Sequence, residues 1–116
     1  MNILNIYYCP QCRNVGVAYG RPAVECCRSR LETVPVETAS MLPTITETDG
    51  EYMLEYACPM TKDDFIAAVI VERHDRVELI RLFPEQAAEV RVPQIKGAKI
   101  HTVFCRQGKV WSEILK

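Results

Sequence analysis

Thr61-Lys62-Asp63-Asp64-Phe65-Ile66-Ala67-Ala68-Val69-Ile70-Val71 is the stretch on which the fold turns. Thr61, ahead of acidic residues and an apolar run, has the form of an N-capped helix. Against this, Val69-Ile70-Val71 is β-branched, stiff at χ1, and suits a strand. Local pattern alone leaves both open.

Its neighbours read as strands. Thr44–Thr48, then Asp49-Gly50, then Glu51–Tyr56 form a hairpin signal, because Asp-Gly supplies the positive φ angles of a tight primed turn. Val77–Phe83 is β-prone and stops at Pro84. Glu89–Pro93 alternates polar and apolar residues, as a half-buried strand does. Ile100–Cys105 and Val110–Leu115 complete the set. Short strands at this spacing point to an all-β chain with a β-sandwich.

The chain has 116 residues, 48% of them hydrophobic, a net charge of −1 and a pI near 6.1. That is one ordinary domain, or a small module joined to a compact one. The balance implies no basic patch, so nucleic acid and anionic membranes are poor default partners. No apolar run is long enough to span a bilayer. The start, Met1-Asn2-Ile3-Leu4-Asn5-Ile6, lacks a basic segment followed by an apolar one, and the expectation is a reducing cytoplasm. There, six cysteines point to metal or redox chemistry rather than a disulfide scaffold. Four of them fall in residues 1–36, and residues 37–116 hold most of the core-forming side chains. Between these parts, Glu32–Ser40 is polar, contains Pro35 and reads as the connection.

Cys9-Pro10-Gln11-Cys12 lets a short turn aim two thiolates at one ion, with backbone N–H groups bonding the sulfurs. Cys26-Cys27 follows after thirteen residues. Val15–Tyr19 and Ala23–Glu25 flank Gly20-Arg21-Pro22, and a hairpin of these two segments is expected to fold the second pair onto the first. Four thiolates suit tetrahedral zinc or iron. So small a segment has little core, and the metal should supply much of its folding energy. A disulfide between adjacent cysteines is disfavoured, and a redox dithiol usually sits in a βαβ context that is missing here.

At these residues a family resemblance emerges. Tyr7-Tyr8-Cys9-Pro10-Gln11-Cys12-Arg13-Asn14-Val15 and Val24-Glu25-Cys26-Cys27 resemble the desulforedoxin-type domain that opens the desulfoferrodoxins. That family binds iron there and passes electrons through it. Arg13 departs from the pattern, which usually has glycine at that point. The resemblance continues into a second domain, an immunoglobulin-like sandwich that in the family is a superoxide reductase. Its iron takes four histidines and one axial cysteine. Cys58-Pro59-Met60-Thr61-Lys62-Asp63-Asp64-Phe65-Ile66 resembles the family's His-Pro-Met-x-x-x-His-Tyr-Ile. Phe104-Cys105-Arg106-Gln107-Gly108-Lys109-Val110-Trp111 resembles its Tyr-Cys-x-x-His-Gly-x-Trp, and Ser40-Met41-Leu42-Pro43 its Lys-His-Val-Pro.

Residue by residue, the resemblance keeps only the axial cysteine, as Cys105. The four histidine positions match Met41, Cys58, Asp64 and Gly108, and the lysine that assists superoxide matches Ser40. An open iron site needs nitrogen donors that this chain does not supply there. Its own histidines are His74, in a charged segment that reads as a turn, and His101, about four strand rises from Cys105 and too far to share an ion without a bulge. The resemblance brings Met41, Cys58, Asp64 and Cys105 together. They are a soft residual metal site, or Cys58 and Cys105 are buried thiols or a disulfide.

Three functions follow as expectations. The first is a desulfoferrodoxin-like protein with an iron or zinc tetrathiolate and a possible one-electron carrier role, having no catalytic residues and a degenerate second site. The second is a superoxide reductase with a rebuilt second site. The third is a zinc-stabilised structural or interaction protein. The resemblance also implies a homodimer, to which the apolar start Ile3–Tyr8 would lend an edge strand, and a redox partner protein.

Overall fold

The computed structural model describes residues 3–40, 42–93, 97–106 and 109–115. The chain divides into two compact units, Met1–Pro35 and Val36–Lys116, with the break inside the polar connection. The described residues form strands and turns without a helix, and no helix is long and apolar enough to cross a membrane.

In the first unit, β1 (Leu4–Tyr8) pairs antiparallel with β2 (Val15–Tyr19), with Leu4 opposite Tyr19 and Tyr8 opposite Val15. Leu4, Ile6 and Tyr7 are buried. The other edge of β1 is partly taken within the chain. Thr33 bridges to Tyr7, and the Val34 N–H donates to the Ile6 carbonyl at 2.8 Å.

β3 (Glu25–Cys26) and β4 (Ser29–Arg30) make a separate minimal hairpin. This corrects the expected pairing of Val15–Tyr19 with Ala23–Glu25. β2 spends its ladder on β1, closed by the Gly20 N–H on the Ile3 carbonyl at 3.2 Å. Pro22 has no N–H to offer a ladder, and its carbonyl accepts the Tyr7 hydroxyl instead, at 3.2 Å.

The second unit holds β5 (Val36–Thr38), β6 (Thr44–Thr48), β7 (Glu51–Glu55), β8 (Asp64–Glu72), β9 (Val77–Arg81), β10 (Glu89–Pro93), β11 (Lys99–Arg106) and β12 (Lys109–Leu115). They form a three-stranded sheet in the order β10-β7-β6 and a five-stranded sheet in the order β5-β12-β11-β8-β9. Only β5 on β12 is parallel. The sheets make an immunoglobulin-like sandwich. Leu54, Val90 and Val92 line the core from the smaller sheet. The Tyr56 hydroxyl, just past β7, meets Thr102 Oγ1 on β11 at 2.9 Å and ties the two sheets together.

The ambiguous stretch is a strand, β8, between β9 and β11. Phe65–Val71 are all at most 2% exposed. A strand buried on both faces shows no alternation, which is why local pattern could not separate it from a helix. The cap signal was real in a different setting. Thr61 Oγ1 accepts the Asp64 N–H at 3.2 Å, as an N-cap would, but in a tight turn that Thr61 and Asp64 close by main-chain bonds of 2.9 and 3.3 Å. Asp49 and Gly50 have φ of 48° and 81°, the primed turn expected of Asp-Gly, and they set the register of Thr48 opposite Glu51.

Candidate metal centre

Two turns build the centre. Cys9 directly follows β1, and Cys12 lies in the loop to β2. The loop is fixed by Cys9 N–H to the Asn14 carbonyl at 2.9 Å and Arg13 N–H to the Cys9 carbonyl at 2.7 Å. Cys26 ends β3, and Cys27 with Arg28 forms the two-residue turn to β4, with φ of 51° and 63°. Both residues are left-handed and neither is glycine. Arg13 is left-handed too, with φ of 61°. Each turn thus holds a strained residue that its flanking hydrogen bonds must stabilise.

The four sulfurs converge so that all lie within 4.8 Å of one another. Cys12 Sγ is 3.4 Å from Cys26 Sγ, and Cys26 Sγ is 3.9 Å from Cys27 Sγ. A tetrahedron with metal–sulfur bonds of about 2.3 Å has sulfur–sulfur edges of about 3.8 Å. The donor set and its spacing fit one tetrahedral ion. Cys9 is buried, Cys26 half-buried, and Cys12 and Cys27 are exposed, so the centre has an inner anchor and an outer edge.

The electrostatics of the metal-free thiols agree. Cys9 is lowered to about 7, chiefly because the Cys12 backbone N–H bonds its sulfur, with the Gln11 N–H adding to this against the cost of burial. Cys27 is pushed up to about 12, first by Cys12, then by Cys9 and Cys26. Cys26 is raised by Cys12 and Cys9 in the same way. Sulfurs this close share protons because they cannot all be anionic without a cation. A metal ion removes that conflict.

The residual-site residues are arranged differently. Met41 and Gly108 lie outside the described residues. Cys58 Sγ is 3.8 Å from Asp64 Oδ1 and 3.8 Å from the Asp64 carbonyl oxygen. The carboxylate also accepts Arg106 Nε–H at 2.9 Å. The Arg106 guanidinium lies 5.0 Å from the Phe104 ring centroid and 5.7 Å from that of Trp111. Cys105 faces Phe65 across the β11–β8 ladder. Among the described residues, only the Cys9, Cys12, Cys26 and Cys27 group brings three or more such ligand atoms within 4.8 Å. All six cysteines are free thiols.

Ser40 Oγ donates to Glu113 Oε1 at 2.5 Å. His101 is 4% exposed with Nε2 at 2.9 Å from Glu72 Oε1, and His74 is exposed in the β8–β9 turn. Sequence reasoning missed the Arg106–Asp64 pair, since two residues 42 positions apart give no local signal. It also missed the Glu72 partner of His101, for the same reason.

No protein-family model and no curated protein matches the chain. Among solved structures, the crystal structure of the superoxide reductase from Treponema pallidum aligns with 96% of this chain and 97% of that one. The TM-score is 0.67 at 20% sequence identity. The chain has a superoxide reductase-like fold. At this identity the likeness is one of fold, and the chemistry has to be argued from the residues.

Proposed function

We propose that the chain is a desulfoferrodoxin-like protein with one metal centre, an iron held by Cys9, Cys12, Cys26 and Cys27, and that it carries single electrons. The convergence of four sulfurs within 4.8 Å carries this reading. Bound iron supplies a one-electron ferric–ferrous exchange, whereas zinc supplies none. The chain's part is to hold the ligand geometry fixed from two hydrogen-bonded turns. Backbone N–H groups on Cys9 Sγ stabilise negative charge at the buried side. The exposed Cys12 and Cys27 give electrons a short path to a partner.

The sandwich in this reading has lost superoxide chemistry. Two of the four family histidine positions are Cys58 and Asp64, and a guanidinium already balances the Asp64 carboxylate. The chain's two histidines are engaged with Glu72 or exposed in a turn. The homodimer is part of the proposal, and a monomer throughout a sedimentation concentration series would contradict it.

Anaerobic redox titration of the purified full chain, followed by its visible spectrum, tests the carrier role. The expected result is a thiolate-to-iron charge-transfer band that bleaches reversibly with one electron per chain, without fast superoxide consumption by the reduced protein. A colourless protein with one zinc favours the structural reading. Rapid superoxide consumption at a second iron favours the enzyme and overturns this one.

A further inference from the structure

Residues 36–61, which open the second unit, include Glu37, Glu47, Asp49, Glu51 and Glu55 but no lysine, arginine or histidine. β6 lies inside this stretch, at the margin of the three-stranded sheet. Among the described residues its main chain bonds to β7 alone, so its other edge offers unpaired N–H and C=O groups. All five of its residues are exposed. Edge strands are commonly blunted by lysine, proline or a bulge, and β6 has none of these. Its one guard is Glu47, a charge on the face that looks into the sandwich.

That face of β6 is uncovered. Val90, Leu54 and Ile45 lie side by side across the three strands, and they are 5%, 0% and 49% exposed. An apolar row buried through β10 and β7 thus ends bare at β6. Leu42, just before the strand, is 65% exposed. The next row on this face is Val92, Tyr52 and Glu47, and it contains no cation. Arg91 belongs to the other face, opposite Met53, where it lines a hollow with Thr48, Asp49 and Glu51. Among the described residues, Glu47 enters no ion pair and no side-chain hydrogen bond.

We propose that β6 is a docking edge for an extended basic segment of another protein, which adds to the sheet as a fourth strand. Main-chain bonds give such an addition its affinity, and alternate side chains give it selectivity. The rows of β6 ask for an apolar side chain against Ile45 and a lysine or arginine two residues away against Glu47. Cationic side chains on the other face of the incoming strand point toward Glu51 and Glu55, which stand opposite Thr48 and Thr44. The same acidity disfavours a second copy of this chain, whose own β6 brings carboxylates and no cation. The docking edge does not depend on which ion the cysteines hold.

The probe is a cyclised β-hairpin peptide with one strand reading Lys-Thr-Val-Thr-Lys. Cyclisation removes most of its ordering cost on binding. The sequence reads the same in both directions, so it serves parallel and antiparallel addition. Isotope-labelled, zinc-loaded full chain is titrated with it and followed by NMR. The expected result is amide shifts centred on residues 44–48, with slower hydrogen exchange at those β6 amides that do not bond to β7. Raising the ionic strength from about 0.01 M to about 0.15 M shortens the Debye length from about 30 Å to about 8 Å and should weaken binding. Glu47→Gln should weaken it by about threefold. Ile45→Glu should weaken it as well, although it adds a negative charge.

Absence of shifts at residues 44–48 overturns the proposal, as does equal binding of a hairpin with glutamate in place of lysine. Stronger binding by Ile45→Glu would show that charge alone attracts the probe, against strand addition. Shifts at residues 44–48 on concentrating the protein alone would assign the edge to a second copy and also overturn the proposal. Unchanged β7 and β8 amide signals report the fold of both variants. Should either variant misfold, the glutamate hairpin tests the proposal on the unaltered chain.

Discussion

Cys27 and Arg28 turn the chain through two left-handed residues, a conformation that costs an ordinary residue about 1–2 kcal/mol. Glycine adopts it freely but returns about 0.5–1 kcal/mol through its greater freedom when unfolded. Arg28→Gly is therefore expected to raise the stability of the metal-loaded protein by up to about 1 kcal/mol in a guanidinium titration. A loss of similar size would mean that the Arg28 side chain stabilises the fold. Arg13 shows how far single residues could be read in advance. The resemblance placed glycine there, and the φ of 61° shows why glycine suits, but the angle itself could not be read from the sequence.

The sulfurs also determine how metal binding responds to pH. Cys26 and Cys27 are both raised, so both hold their protons near neutrality and must lose them to bind a metal. Each proton released makes affinity fall as pH falls. These two alone should weaken zinc binding by about a hundredfold per pH unit below neutrality. Chelator competition at several pH values measures this, and a slope below about tenfold per unit would contradict the crowded-thiol account.

At the scale of elements, legibility depended on exposure. β10 is buried at alternate positions and could be read directly, and the β6–β7 hairpin followed from Asp49-Gly50. β8 could not be read, because burial on both faces removed the alternation that marks a strand. The partner of β2 was misread for another reason. Proximity in sequence favoured Ala23–Glu25, whereas pairing with β1 buries Leu4 and Ile6. The central position of β8 makes it costly to disturb. Ile70 is fully buried, and Ile70→Ala should destabilise the second unit by about 2–4 kcal/mol, measured by denaturant unfolding. A cost under about 1 kcal/mol would place Ile70 at a loosely packed position.

At the scale of the whole chain, the two units should depend differently on metal. The first has few buried side chains, and the second has an extended apolar core. Removing the ion with a chelator is expected to abolish hydrogen-exchange protection in β1 and β2 while leaving β8 and β11 protected. Retained protection in β1 would show that the first unit folds without metal. The all-β class was legible in the strand spacing, and the four-cysteine cluster in the spacing of its two pairs. What the sequence did not display was the long-range company those residues keep, including the guanidinium beside Asp64.

The most direct test of one tetrathiolate centre is the metal stoichiometry of the anaerobically isolated full chain by native mass spectrometry. One ion per chain, lost in Cys9→Ser and kept in Cys105→Ser, is the expected result. Two ions per chain, or one that survives Cys9→Ser and disappears with Cys105→Ser, would contradict it.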